Sequence, residues 1–360
     1  MLRKPASYFQ QRLLYWHQHF NKRELPWKGE KDVYRIWLSE IILQQTRAEQ
    51  GWKYYERFLK AYPTLTKLAQ APLEEVFKLW EGLGYYNRCR NLHATAQKIA
   101  TEMKGKFPAT YEGILALKGV GPYTAAAIAS FAYNLPHAVV DGNVFRVLSR
   151  FFGEATPVDS AKGRKLFEQL AHECLAKDQA AVYNQAIMDF GATVCKPDSP
   201  LCSDCPLKSK CAAFKQNTIS QLPVKEKQLQ QRNRWFVFFT VSHKGFFAIE
   251  KRTGKDVWQD LYQFPIVEFH SEKEWKAFIK SDLAKSQTLF RGGSFQLLTV
   301  TKPVLQKLSH QTIHAVAVAA LLSAKKAAVQ YEWKTKEELK QLPFPKVIHQ
   351  LLKGKLLDLF

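Results

Sequence analysis

No apolar run in this 360-residue chain approaches the roughly 20 residues needed to span a bilayer. Met1 to Gln10 lacks the apolar core of a secretory signal and soon enters an amphipathic pattern. Membrane residence and export are therefore not expected, and a reducing cytoplasm is the expected setting. The compact N-terminus and missing targeting signals suit a bacterial one. Acidic residues are scarce: Asp and Glu number 32 against 53 Lys and Arg, for a formal charge of +21. That excess points to an anionic polymer as partner, because each phosphate neutralised releases condensed counterions. Cysteines are few as well. In a reducing compartment six of them suit metal or plain burial better than disulfides. No internal repeat is visible.

Hydrophobic residues are plentiful, at 46%, and the length suggests two domains, each with a real core. Residues 1–214 read as mainly helical. Segments such as Tyr34–Gln50, Leu73–Trp80, Asn91–Met103, Tyr123–Ala132, Gly142–Phe151 and Ala161–Leu175 carry apolar residues at three- and four-residue spacing. Residues 215–233 are rich in Gln, Lys and Asn, as a solvated linker would be. From 234 to 360 the pattern turns to α+β. Trp235–Ser242 and Phe246–Arg252 form a plausible hairpin about a Lys-Gly turn, Gln296–Pro303 and Thr312–Ala320 read as further strands, and Lys336–Leu342 and Pro345–Leu352 as helices.

Cys195, Cys202, Cys205 and Cys211 are separated by six, two and five residues. Four thiolates in so short a loop can converge on one cubane cluster or one tetrahedral metal, and spacing alone leaves iron–sulfur and zinc close to even. Cys89 and Cys174 fall in helical patterns and read as core. Upstream, Leu117-Lys118-Gly119-Val120-Gly121-Pro122-Tyr123 places a tight glycine turn directly before a helix. Gly119 and Gly121 would let backbone amides approach a phosphate at the helix N-terminus, though an ordinary helix connection is as good a reading. Asp141 follows an apolar run at an apparent helix start, where it can serve as an N-cap, face a ligand, or both.

The glycine hairpin, the later Asp and the four cysteines, in that order and spacing, resemble the helix–hairpin–helix DNA glycosylases that carry a 4Fe–4S cluster. The resemblance implies one 4Fe–4S cluster in the 195–211 loop, beside a basic surface that includes Lys196, Lys208 and Lys210. In the endonuclease III branch the hairpin ends in a Lys that forms a Schiff base with the sugar. Here that position is Tyr123, and a phenol forms no imine. Leu25-Pro26-Trp27, the run Trp37 to Thr46, and Gly82-Leu83-Gly84-Tyr85-Tyr86-Asn87-Arg88 are similar to MutY-type adenine glycosylases, which remove adenine paired with 8-oxoguanine or guanine.

That resemblance implies a monofunctional enzyme acting on double-stranded DNA containing A:8-oxoguanine or A:G mispairs, monomeric and associated with a bacterial nucleoid. It implies Glu40 as general acid, since adenine leaves readily only when protonated. Asp141 would stabilise the oxocarbenium ion, electrostatically or through a transient adduct, and Tyr123 would support it. Arg23, Leu25, Trp27 and Gln185 match positions framing the adenine pocket. Gln45 and Thr46 would lie on the lesion side, and Leu83 and Tyr85 would wedge the duplex while the base flips. Ordinary packing is the competing reading for each of these residues, and above all for Leu83 and Trp27. Lys28 stands where many relatives have Arg, keeping charge without a bidentate fork.

Val257-Trp258-Gln259-Asp260-Leu261-Tyr262-Gln263-Phe264-Pro265 looks like the Nudix-like domain attached to such enzymes. The full Nudix hydrolase motif is not visible, so lesion recognition is expected there and pyrophosphate hydrolysis is not. Leu308-Ser309-His310 aligns with a family loop that is more usually Phe-Ser-His, and Ser309 could read the altered edge of 8-oxoguanine. Two other readings compete: a thymine-mismatch or other base-specific glycosylase, and a catalytically silent DNA sensor.

Overall fold

The structure is a computed structural model, and it describes residues 4–226, 231–282, 295–324 and 330–353. It divides into two compact units. One comprises Met1–Gln70 and Asn91–Gln228, the other Ala71–Arg90 and Leu229–Phe360. Among the described residues no helix is long and apolar enough to cross a membrane.

The first unit is helical. One core of this unit gathers Phe9 and Leu13 from the helix Lys4–His19, Val144, Val147 and Phe151 from Gly142–Phe152, Phe167 from Ala161–Cys174, and Tyr183 and Phe190 from Ala180–Thr193. The apolar periodicity read over Tyr34–Gln50 spans two helices rather than one, Val33–Leu43 and Ala48–Ala61. The break falls at Gln45, whose φ of 55° no α-helix accommodates. Cys174 is buried here, and Cys89 is buried in the second unit, as expected for core residues.

The stretch expected to be a solvated linker is partly pinned to this unit. The buried Arg150 guanidinium donates to the carbonyls of Ile219 (3.1 Å) and Leu222 (3.0 Å), and Val158 N–H donates to Val224 O (3.0 Å). Leu222 supplies an apolar anchor, being only 6% exposed. Composition marked these residues as polar but could not reveal partners distant in the chain. Residues 227–230 lie outside the described residues.

The second unit is built on a mixed eight-stranded sheet: β1 (Arg232–His243), β2 (Phe246–Lys251), β3 (Tyr262–Gln263), β4 (Ile266–Phe269), β5 (Phe295–Val300), β6 (Val304–Lys307), β7 (Gln311–Leu322) and β8 (Glu332–Thr335). β1 and β7 run parallel in register from Arg232↔Gln311 to Ser242↔Leu321. Both are buried along most of their length, as a central parallel pair demands. The remaining pairings are antiparallel. The helices Lys336–Gln341 and Lys346–Leu352 lie where the sequence pattern placed them. Thr335 and Glu338 close a reciprocal capping box on the first.

Candidate active site

A cavity of about 440 Å³ opens in the first unit, and seven of the expected residues line it together: Arg23, Leu25, Trp27, Glu40, Tyr123, Asp141 and Gln185. Thr46 lies on its wall as well.

Glu40 reaches the cavity from the helix Val33–Leu43. Asp32 caps that helix by accepting from Tyr34 and Arg35 N–H, and nearly every residue from Tyr34 to Ile42 is buried. A carboxyl on so apolar a helix loses its water. Glu40 is 5% exposed, and burial pushes its pKa from the ordinary 4.5 to about 7. The neighbouring Asp141 carboxylate pushes in the same direction, while a hydrogen bond from Tyr123 opposes both.

Asp141 caps the helix Gly142–Phe152, accepting from Val144 N–H at 2.8 Å and from Asn143 Nδ2 at 3.0 Å. Burial raises its pKa from the usual carboxyl value. Those hydrogen bonds and the Arg146 charge hold it down. The cap and the cavity-facing carboxylate are therefore the same group. The Tyr123 hydroxyl serves Glu40 and also lies 3.5 Å from Met188 Sδ. Its single proton favours the carboxyl, since a thioether is the weaker acceptor. Trp27 is held edge-on by Tyr55, with ring centroids 5.7 Å apart.

The hairpin lies beside this site. Gly119 has φ +82°, and a Cβ there would come within 2.7 Å of Asn91 Cβ. Gly121 caps the helix Pro122–Tyr133 with open space where its side chain would be. Gln44 ties the hairpin to the Glu40 helix through Thr124 Oγ1 (3.0 Å) and Gly119 O (3.4 Å). Gln45, next in sequence, is exposed.

Leu83, Tyr85 and Ser309 are gathered elsewhere, on a cleft of the second unit that also displays Arg88, Arg232, Lys255, Lys307 and Lys346. Tyr85 is 39% exposed at a positive φ of 50°. Leu83 is 6% exposed, so packing accounts for it in this conformation.

Sequence reasoning missed Asp189 and His17. Asp189 is fully buried one helical turn after Gln185, and His17 lines the cavity. The only signal was an i,i+4 pairing of Gln with Asp on one helix, too common to single out.

The four cysteines are free and partly buried. Two of the thiols feel the charge of others in the quartet: Cys205 that of Cys195, Cys202 and Cys211, and Cys211 that of Cys195 and Cys202. Among the described residues no three Cys, His, Asp or Glu side chains are drawn tightly enough to hold a single metal ion. The donor chemistry still fits an all-thiolate group. Arg150 Nη1 lies 3.7 Å from Cys195 Sγ, and Arg146 Nε donates to Cys195 O at 2.8 Å. Both guanidiniums are buried, and among the described residues neither forms a salt bridge with a carboxylate. Thiolates would supply negative charge beside both, adding for Arg146 to that of Asp141.

A helical unit with a glycine hairpin, a buried acid and a second carboxylate on one cavity defines a helix–hairpin–helix glycosylase of base excision repair. Accordingly, the family model described as HhH-GPD superfamily base excision DNA repair protein matches residues 38–173, and the NUDIX domain model matches 236–354. The chain belongs to the MutY-type adenine DNA glycosylases, hydrolases of N-glycosyl bonds in DNA. It is 31% identical to the adenine DNA glycosylase of Buchnera aphidicola subsp. Schizaphis graminum over 96% of this chain and 97% of that one. It is 42% identical to the rat adenine DNA glycosylase over 60% of this chain and 44% of the relative. Among solved structures, a thermostable thymine-DNA glycosylase is similar at 28% identity and a TM-score of 0.54, covering 59% of this chain and 98% of that one.

Proposed function

We propose that the chain is a monofunctional glycosylase that releases adenine mispaired with 8-oxoguanine, or with guanine, after the base has flipped into the 440 Å³ cavity. What carries this reading is the meeting of Glu40, Tyr123 and Asp141 on one wall of that cavity, with Glu40 poised near pH 7. Glu40, still protonated near neutrality, gives its proton to a ring nitrogen so that adenine leaves neutral. Positive charge then grows on the sugar. Asp141, oriented by Val144 N–H and Asn143, faces that charge as an anion. Tyr123 shares its hydroxyl proton with Glu40 as the carboxylate forms, and offers no amine for a lyase step.

Arg23, Leu25, Trp27 and Gln185 frame the base. Gln45, on its positive-φ corner beside the hairpin, enters the lesion side of the duplex with Thr46 behind it, and Gly119 and Gly121 bring backbone amides to the phosphates. On the second unit Tyr85 is the wedge, backed by the buried Leu83, and Ser309 reads the lesion. Cys195, Cys202, Cys205 and Cys211 hold one 4Fe–4S cluster, which fixes the 195–211 loop and its lysines. A monomer on double-stranded DNA suffices for this scheme.

The similarity to a thymine-DNA glycosylase favours one second reading, a thymine-mismatch enzyme. The end-to-end match to an adenine enzyme, C-terminal domain included, supports adenine. Single-turnover assays on A:8-oxoguanine, A:G and T:G duplexes decide between them. Adenine release from the first is expected; release of thymine alone would overturn the assignment. Glu40→Gln should abolish base release and spare lesion-duplex binding, since it removes the acid and little volume. Absorbance near 400 nm (roughly, from thiolate-to-iron charge transfer) tests the cluster.

A further inference from the structure

The buried carboxylate of Asp189 takes no part in the chemistry above, yet four nitrogens converge on it. Arg23 Nη1 (2.9 Å) and Gln185 Nε2 (3.0 Å) donate to Oδ1, and Asn21 Nδ2 (2.8 Å) donates to Oδ2, with Lys28 Nζ 3.2 Å from the same oxygen. Arg23, Lys28 and Gln185 all line the base cavity. Asp189 itself is sealed from solvent.

A carboxylate held by two cations is an acceptor only. The Gln185 amide must therefore turn its NH2 toward Asp189, because the reversed amide would set two oxygens 3.0 Å apart. Among the described residues this is the only hydrogen bond of the Gln185 side chain. Its carbonyl oxygen is left as an acceptor on a residue that lines the cavity.

The same carboxylate acts through Asn21, whose Nδ2 also lies 2.9 Å from His17 Nδ1 while its Oδ1 accepts from Arg23 N–H at 3.0 Å. With Nδ1 of His17 accepting, the neutral ring carries its proton on Nε2. Burial and the Lys28 charge lower the His17 pKa and favour that neutral form.

We infer that Asp189 is a positioning residue that sets the hydrogen-bonding polarity of the base pocket, fixing the Gln185 carbonyl as an acceptor for an exocyclic amino group and against a carbonyl at the same place. The inference rests on the reading that this cavity takes adenine. Adenine offers a 6-amino donor to that oxygen, whereas hypoxanthine would oppose it with a 6-oxo group. A buried acceptor facing another acceptor loses far more than an absent contact does.

The test compares single-turnover release of adenine and hypoxanthine, each placed opposite 8-oxoguanine, by the full chain. Asp189→Asn can either donate or accept, which frees the Gln185 amide to turn. The adenine-to-hypoxanthine rate ratio should fall about tenfold or more. Gln185→Ala, which leaves the cation pairs of Asp189 intact, should lower the same ratio. Adding Asp189→Asn to Gln185→Ala should then lower it no further. Asp189→Asn slowing both bases equally would overturn the inference. So would a further drop in the double variant. Should Asp189→Asn fail to fold, an unchanged ratio in Gln185→Ala overturns it alone. A wild-type chain that releases neither base would sink the adenine reading itself, and the inference with it.

Discussion

Tyr85 donates its phenolic proton to Ser309 Oγ across 2.6 Å, joining two residues far apart in the chain that line one basic cleft. Because Ser309 accepts from Tyr85, its own proton is left for an acceptor: His310 Nδ1 lies 3.4 Å away, and in the proposed complex the 8-oxo oxygen would compete for it. Donation from Tyr85 also polarises that hydroxyl and strengthens what it gives. Ser309→Ala should lower the preference for 8-oxoguanine over guanine by about tenfold, the worth of one hydrogen bond. Tyr85→Phe keeps the aromatic ring and should lower the same preference by less. The double variant should match Ser309→Ala alone. Additive losses in the paired binding and cleavage assays would show that the two residues act separately.

The two hairpin glycines should separate fold from binding. At Gly119 a methyl group would meet Asn91 Cβ at 2.7 Å, and the φ of +82° disfavours any side chain. Gly119→Ala should cost about 1–3 kcal/mol of stability. Gly121 has φ −95° and open space around its missing Cβ. Gly121→Ala should leave the melting temperature nearly unchanged and weaken binding to any duplex, since the methyl intrudes where the phosphate would lie. Unchanged DNA affinity in the second variant would remove the hairpin from the interface.

Arg150 makes a third case. Its guanidinium reaches Cys195 Sγ (3.7 Å) and the carbonyls of Lys196 (2.7 Å), Pro197 (3.0 Å), Ile219 (3.1 Å) and Leu222 (3.0 Å). It thus ties the cysteine loop to the segment after it. Arg150→Lys keeps the charge but cannot reproduce the fork. The expected loss is about 2–4 kcal/mol. If the loop holds the proposed cluster, absorbance near 400 nm (roughly) should disappear on warming before the helical signal does. Retention of the colour up to global unfolding would disconnect Arg150 from the cluster.

Local signals carried much of this architecture in the sequence. The Gly119 turn, the Asp141 cap and the aromatic β1 announce themselves within a few residues, because each is dictated by its own backbone geometry. What escaped depends on partners distant in the chain. The parallel pairing of β1 with β7 is set by burial on both faces, which neither strand encodes alone. The break at Gln45 interrupts an apolar period that otherwise continues into the next helix. Residues 219–226 read as polar linker because their anchors are Arg150, Val158 and Asp159. Asp189 looked ordinary for the same reason. Its meaning lies in Arg23, Lys28 and Asn21, more than 150 residues earlier.

Glu40 should be a stability liability as well as the proposed acid. Folding raises its pKa from 4.5 to about 7, so the unfolded chain gives up this proton more readily than the folded one. The contribution of the neutral carboxyl is fully present below pH 4.5 and is lost as pH rises through about 7. At 1.36 kcal/mol per pKa unit, the ionised form costs about 3 kcal/mol by pH 8. Glu40→Gln cannot ionise and escapes that cost. Urea unfolding should find the variant more stable than the wild type by about 3 kcal/mol at pH 8, with the difference shrinking toward zero near pH 4.5. The wild-type rate of base release should fall over the same alkaline interval, because the ionised carboxyl has no proton to give. A stability gap independent of pH would mean that Glu40 titrates as an ordinary surface carboxylate, and the proton donor would then have to be sought elsewhere on the cavity wall.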